Sequence, residues 1–213
     1  MSTVAIIAAG SFPRTEYPRY LIRSADHCVC CDGALGTLEK HGIVPDVVIG
    51  DLDSVCSRAL GRFRGETVRV DDQDTNDLTK AFTFCLERWP DVTGITILGA
   101  SGRREDHTLA NYSLLMEYER QFRLGERGIR VEMVSDYSTA FAISSSTTLH
   151  VGAGRPVSLF TADPSLQIRS EGLHWPTDGV RFDNWWKATL NRADRDAITL
   201  TLSHEAPVLV ILS

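Results

Sequence analysis

Carboxylates are the residues whose distribution first suggests chemistry. Eight of the seventeen aspartates lie within residues 32–77, about twice the share that an even scatter would give. Three of them, Asp32, Asp51 and Asp71, directly follow short apolar runs. In an open parallel sheet, ligands bind beyond the carboxyl ends of the strands, so these side chains are expected to meet at one crevice. Like charges brought together repel and raise one another's pKa unless a cation neutralises them. An oxygen-rich site of this kind suits Mg²⁺, which takes one or two carboxylates, several waters and substrate phosphates. Asp51-Leu52-Asp53 has three readings: the nucleophile motif of an aspartyl-phosphate phosphatase, a metal clamp of a nucleotide-sugar transferase, or a Mg²⁺ clamp on a nucleotide. Asp72 to Asp77 superficially matches a calcium loop, but the sixth position is Asp77 where glycine is required and the twelfth is Thr83 where glutamate is required. Asp46 and Asp74 read as turn or capping residues.

Two further segments offer anion contacts. Asn76 is an expected N-cap for a helix opening at Asp77, where free backbone N–H groups favour phosphate. Lys80, one of three lysines against nineteen arginines, either reaches a phosphate oxygen from that first turn or pairs with Asp77 or Glu87. Leu98 to His107 runs from a strand through small residues into another helix. Small residues let backbone amides approach phosphate, and arginine supplies a planar fork. Neither a Walker P-loop nor a Gly-x-Gly-x-x-Gly fingerprint is present. His107 is read as a nucleotide contact, the alternative being a helix-start residue. Cys28, Cys30 and Cys31 read as buried apolar residues, because no second Cys or His cluster matches zinc spacing.

Elements of two kinds must position these groups. Up to about residue 135, apolar runs (Val4–Ala9, Cys28–Cys31, Val47–Ile49, Thr67–Val70, Ile95–Leu98, Val131–Val134) alternate with helical stretches (Arg19–Ala25, Leu35–His41, Asp77–Trp89, Asp106–Phe122). This predicts an α/β domain with a mostly parallel sheet covered on both faces. Residues 136–213 hold short alternating segments between turn residues and predict an all-β sandwich domain. A net charge of −6 argues against a nucleic-acid partner. No apolar run approaches the ~20 residues of a membrane span. The odd count of five cysteines, none beyond Cys85, does not form a disulfide framework and points to the cytoplasm.

Four motifs in order carry a resemblance: Cys31-Asp32-Gly33-Ala34, Pro45 to Ser54, Asp72-Gln73-Asp74-Thr75-Asn76-Asp77-Leu78-Thr79-Lys80-Ala81, and Gly102-Arg103-Arg104-Glu105-Asp106-His107 followed by Leu109-Ala110-Asn111. Together they resemble the thiamine pyrophosphokinase family, and Gly172-Leu173-His174-Trp175 is similar to that family's tryptophan-bearing segment in its β domain. The resemblance implies transfer of pyrophosphate from ATP to the thiamine hydroxyl by a Mg²⁺-dependent homodimer. It implies that Asp32, Asp51, Asp53 and Asp77 hold Mg²⁺, and that Gln73, Asn76, Arg104, Asp106 and His107 surround the nucleotide. Trp175 and Asn191 are implied at thiamine, the indole packing on a cationic thiazolium. Asp51, Asp77, Lys80 and Arg104 are the expected catalytic set, with Asp77 taking the hydroxyl proton. Arg103 stands where the family has the second glycine of Gly-Gly-Arg, and Leu190 where it has serine before Asn191. A phosphatase using Asp51 and a non-catalytic Mg·ATP sensor are the alternative readings.

Overall fold

A computed structural model describes residues 1–213 apart from Ser54, Cys56 and Gln73. The chain divides into two compact units, Met1–Asn111 with Ile129–Asp136, and Tyr112–Gly128 with Tyr137–Ser213.

The first unit carries strands β1 (Ser2–Ile7), β2 (His27–Cys31), β3 (Val47–Gly50), β4 (Glu66–Arg69), β5 (Val92–Leu98) and β6 (Arg130–Val134). They lie in the order β6-β5-β1-β2-β3-β4, every neighbouring pair parallel. Ile6 is opposite Val29 on one side and Ile97 on the other, and all three are fully buried. Burial of each such side chain contributes roughly 1.5–3 kcal/mol. That is why Val-Ala-Ile-Ile and Val-Val-Ile-Gly read as continuous apolar runs. The edge strand β4 differs, with Glu66, Thr67 and Arg69 exposed.

Among the described residues the helices are α1 (Glu16–Ser24), α2 (Leu35–Lys40), α3 (Ser57–Arg62), α4 (Asp77–Arg88) and α5 (Glu105–Phe122), with a 3₁₀ turn at Asp32–Ala34. Helix α1 starts three residues before the predicted Arg19, so Pro18 lies inside it. Pro18 occupies the first turn, where backbone N–H groups have no intrahelical partner and a proline sacrifices nothing. Helix α3 was not expected from the sequence; Ala59 is its one buried residue, too little for a periodic pattern.

The second unit is antiparallel. Strands β7 (Thr139–Ile143), β8 (Thr147–His150), β9 (Pro156–Thr161), β10 (Ile168–Glu171), β11 (Asn191–Arg192), β12 (Ala197–Leu202) and β13 (Val208–Leu212) form two sheets, ordered β11-β9-β13-β7 and β10-β12-β8. Val157, Leu159 and Val210 from one sheet meet Ile168, Ile198 and Leu200 from the other in a single buried cluster. Ile198 and Leu200 are fully buried while Thr199 and Thr201 face away, which is the period-2 pattern of a strand with one wet face. A parallel α/β fold followed by a β-sandwich is therefore the architecture, as the sequence predicts. Among the described residues no helix is long and apolar enough to cross a membrane.

Candidate functional site

Chain order dictates where the first unit can bind a ligand. Successive strands β1 to β4 run outward in one direction, whereas β5 and β6 lie on the other side of β1. The order reverses between β1 and β5, and a crevice opens beyond the carboxyl ends of strands at such a point. A cavity of about 560 Å³ lies there. Its wall includes Ala8, Ala9 and Gly10 after β1, Ala100 and Ser101 after β5, and Asp32 after β2.

The two loops at the reversal extend the strand pairing. Ala8 N–H donates to the Leu98 carbonyl at 2.9 Å, Gly10 N–H to Gly99 at 2.6 Å and Ser11 N–H to Ser101 at 2.8 Å. An added Cβ at Gly10 would sit 2.4 Å from the Gly99 oxygen, so only glycine permits this approach. The Ala8-Ala9-Gly10 wall was not read as a site segment from the sequence. Its available signal was a run of small residues directly after a buried strand.

Beside the cavity stands the acidic cluster. Asp32, Asp51 and Asp53 each place one carboxylate oxygen within 4.8 Å of the others. Asp32 is 1% exposed. One of its oxygens accepts from Gly33 N–H, but Oδ2 is buried without a hydrogen-bond partner among the described residues. Burial, and next the charge of Asp77, push the Asp32 pKa above its ordinary value. A hydrogen bond from Asp53 N–H is the main cause holding Asp51 below its ordinary value. Leu52 bends the chain between the pair with φ of 68°, a left-handed conformation costing a non-glycine residue roughly 1–2 kcal/mol. Such strain is characteristic of functional turns. Gly50 makes room for the cluster, since a Cβ there would lie 2.8 Å from Asp32 Cγ.

An unpartnered buried carboxylate oxygen among converging carboxylates fits a hard divalent cation, whose ligands are oxygens. Asp77 opens α4 behind its N-cap, Asn76, whose Oδ1 accepts from Thr79 N–H at 2.8 Å. Lys80 is not on the surface: its side chain is 5% exposed and pairs with Asp77 at 3.3 Å. Asn76 and Asp77 also line the cavity, as do Arg104 and His107. Arg104 grips Asp106 through two hydrogen bonds, and those bonds hold the Asp106 pKa down to about 2. Gln73 lies outside the described residues. Asp71, expected to join the other strand-end carboxylates, instead pairs with Arg69 at 2.7 Å on the exposed β4 edge. Asp46 serves structure, accepting the Cys28 N–H at 2.8 Å. Cys30, Cys31 and Cys85 are buried, and burial pushes the half-buried Cys28 thiol up to about 12.

In the second unit, Trp175 is 57% exposed. Asn191 clips its backbone from both sides, accepting the Trp175 N–H at 3.1 Å and donating to its carbonyl at 2.7 Å. The His174 ring packs edge-on against the indole with centroids 4.5 Å apart. Leu190 is 84% exposed in a left-handed conformation, φ 60°.

A parallel α/β unit whose strand order reverses at β1 and β5 belongs to the doubly wound class of folds, in which ligands bind beyond the carboxyl ends of the strands at that point. Two family models match the chain: thiamin pyrophosphokinase, catalytic domain, over residues 18–124, and thiamin pyrophosphokinase, substrate-binding domain, over residues 139–210. The chain belongs to the thiamin pyrophosphokinase family. Thiamine pyrophosphokinase of Bacillus subtilis is 32% identical over 121 residues, 54% of this chain and 55% of that protein. Thiamin pyrophosphokinase 1 of Caenorhabditis elegans is 31% identical over 106 residues, 46% of this chain and 43% of that protein. The matched stretches thus span about half the length of these relatives. The fold is shared more widely: the crystal structure of Bacillus subtilis thiamine pyrophosphokinase superposes with a TM-score of 0.78 at 20% identity, covering 99% of this chain and 98% of that one. The yeast thiamin pyrophosphokinase structure gives 0.77 at 17% identity, covering all of this chain and 86% of that one.

Proposed function

We propose that this chain transfers the terminal pyrophosphoryl group of ATP to the hydroxyl of thiamine, giving thiamine diphosphate and AMP. The observation that carries the reading is the Asp32, Asp51 and Asp53 cluster, with its unpartnered Oδ2, beside a cavity at the strand reversal. In the reaction, the thiamine hydroxyl oxygen bonds to the β-phosphorus, the bond from that phosphorus to the oxygen bridging to the α-phosphate breaks, and AMP leaves. Asp77 takes the hydroxyl proton. Such chemistry asks mainly for positioning and charge neutralisation.

Asp32, Asp51, Asp53 and Asp77 would hold Mg²⁺, which supplies positive charge to phosphate oxygens. Lys80 offsets part of the carboxylate charge by pairing with Asp77. Gln73, Asn76, Arg104, Asp106 and His107 are assigned to the nucleotide, and Trp175 with Asn191 to thiamine. We divide the labour between residues 1–135, which bind nucleotide and carry the catalytic groups, and residues 136–213, which bind thiamine and mediate a homodimer. The exposed Trp175, Trp186 and Leu190 support an apolar contact surface in the latter. A cytoplasmic location is supported by the four described cysteines being free.

Phosphorus NMR on protein mixed with ATP, Mg²⁺ and thiamine tests the proposal. Equal amounts of AMP and thiamine diphosphate are expected, falling at least about a hundredfold in Asp51→Asn. Bound ATP without AMP would overturn it in favour of a sensor, and a trapped aspartyl phosphate in favour of a phosphatase.

A further inference from the structure

Arg103 and Arg104 stand side by side on the cavity wall but differ in what already engages them. Arg104 closes its fork on Asp106, with Nε at 3.1 Å and Nη2 at 2.6 Å from the two carboxylate oxygens. Arg103 instead donates from Nη1 to the Ala9 carbonyl at 3.1 Å, a neutral acceptor. No described carboxylate lies within ion-pair distance of Arg103. A guanidinium carries five N–H donors, so most of those on Arg103 remain open to a ligand. The bond to Ala9 carries the side chain from the loop after β5 across to the loop after β1, over the strand reversal where the cavity opens. The left-handed positions of this loop are taken by Gly99, φ 65°, and Gly102, φ 85°, and Arg103 is not among the left-handed residues. The backbone therefore carries a long side chain here without strain.

We propose that Arg103 reads the length of the nucleotide's phosphate chain, gripping the β- and γ-phosphates of ATP and leaving AMP ungripped. This rests on the nucleotide reading of the cavity given above. An open guanidinium on a wall shared with the carboxylates Asp32 and Asp77 suits a ligand that bridges acids through a cation and meets a cation directly. Phosphate chains do both, and arginine binds them through paired, charge-assisted hydrogen bonds. A mononucleotide has too few phosphates to reach both partners. The same contact would hold ATP, let AMP go and stay with the two transferred phosphates as they pass to thiamine.

Calorimetric titration of wild type, R103M and R103K with Mg·ATP, AMP and inorganic tripolyphosphate provides the test, with thermal melts to verify folding. R103M is expected to weaken ATP and tripolyphosphate by about ten- to a hundredfold and AMP by less than about twofold. R103K, which keeps the charge without the fork, should recover part of the loss. In turnover, the KM for ATP rises while the KM for thiamine holds. Equal weakening of ATP and AMP, or no weakening of ATP, would overturn the inference, because Arg103 would then only hold the loop. Should wild type make no thiamine diphosphate while R103M still loses ATP selectively, the acceptor reading fails and this one stands. If wild type turns over and R103M keeps its preference for ATP over AMP, this inference alone fails.

Discussion

Asp32 illustrates how a single side chain can be set against the stability of its own fold. It is buried, one oxygen lacks a partner among the described residues, and its charged form is disfavoured by burial and by Asp77. An amide in its place removes a buried charge. Without metal, Asp32→Asn is therefore expected to melt higher than wild type, by the roughly 2–4 °C that corresponds to about 1 kcal/mol in a chain of this size. Added Mg²⁺ should raise the wild-type midpoint and leave that of Asp32→Asn nearly unmoved, since a ligand stabilises only what it binds. Thermal melts with and without Mg²⁺ decide this, and a wild type already more stable without metal would refute it. The acidic cluster itself was legible in the sequence, because aspartates directly after apolar runs end up at one edge of a parallel sheet. Lys80 was not fully legible: its partner is three residues away on α4, but its burial depends on how α4 packs on β2 and β3. Asp71 failed the rule because β4 is the edge strand and its end faces solvent.

At the level of elements, α4 carries its candidate site residues at its first turn. Asn76 caps the helix, and Asp77 and Lys80 follow within that turn. Asn76→Ala is expected to lower stability by about 1 kcal/mol through loss of the cap. It should reduce turnover more than Asn76→Thr, which restores a capping oxygen. Denaturant unfolding and initial rates on both variants check this, and equal stability in Asn76→Ala would remove the capping account. Helix α4 was readable from its cap, its apolar spacing and the Pro90 that follows it. Helix α3 and the two-residue strand β11 were not, since each is too short to show a period. The start of α1 was misread because a proline signals a boundary unless it falls in the first turn, where it is compatible with helix.

For the whole molecule, cavity-lining residues distant in sequence converge in the first unit because the strand order reverses at β1 and β5. The run of βαβ alternation followed by short alternating strands made the architecture legible, whereas the position of the reversal depends on pairings no local pattern encodes. The loops at that reversal also have a consequence for how a phosphate can be held. Their amides on Ala8, Gly10 and Ser11 already bond to Leu98, Gly99 and Ser101, so they are not available as the amide cradle that glycine-rich nucleotide loops provide. Under the proposed function, recognition at this part of the wall falls more to the charged side chains of Arg103 and Arg104. Attraction of that kind weakens with ionic strength, whereas a preformed ring of backbone dipoles is far less sensitive. Raising KCl from about 50 to 300 mM should weaken Mg·ATP binding severalfold, the Debye length falling through about 10 Å over that range. An affinity flat across that titration would mean that backbone groups hold the nucleotide after all. Under the proposed function, the consequence is a grip on nucleotide that follows the salt around it.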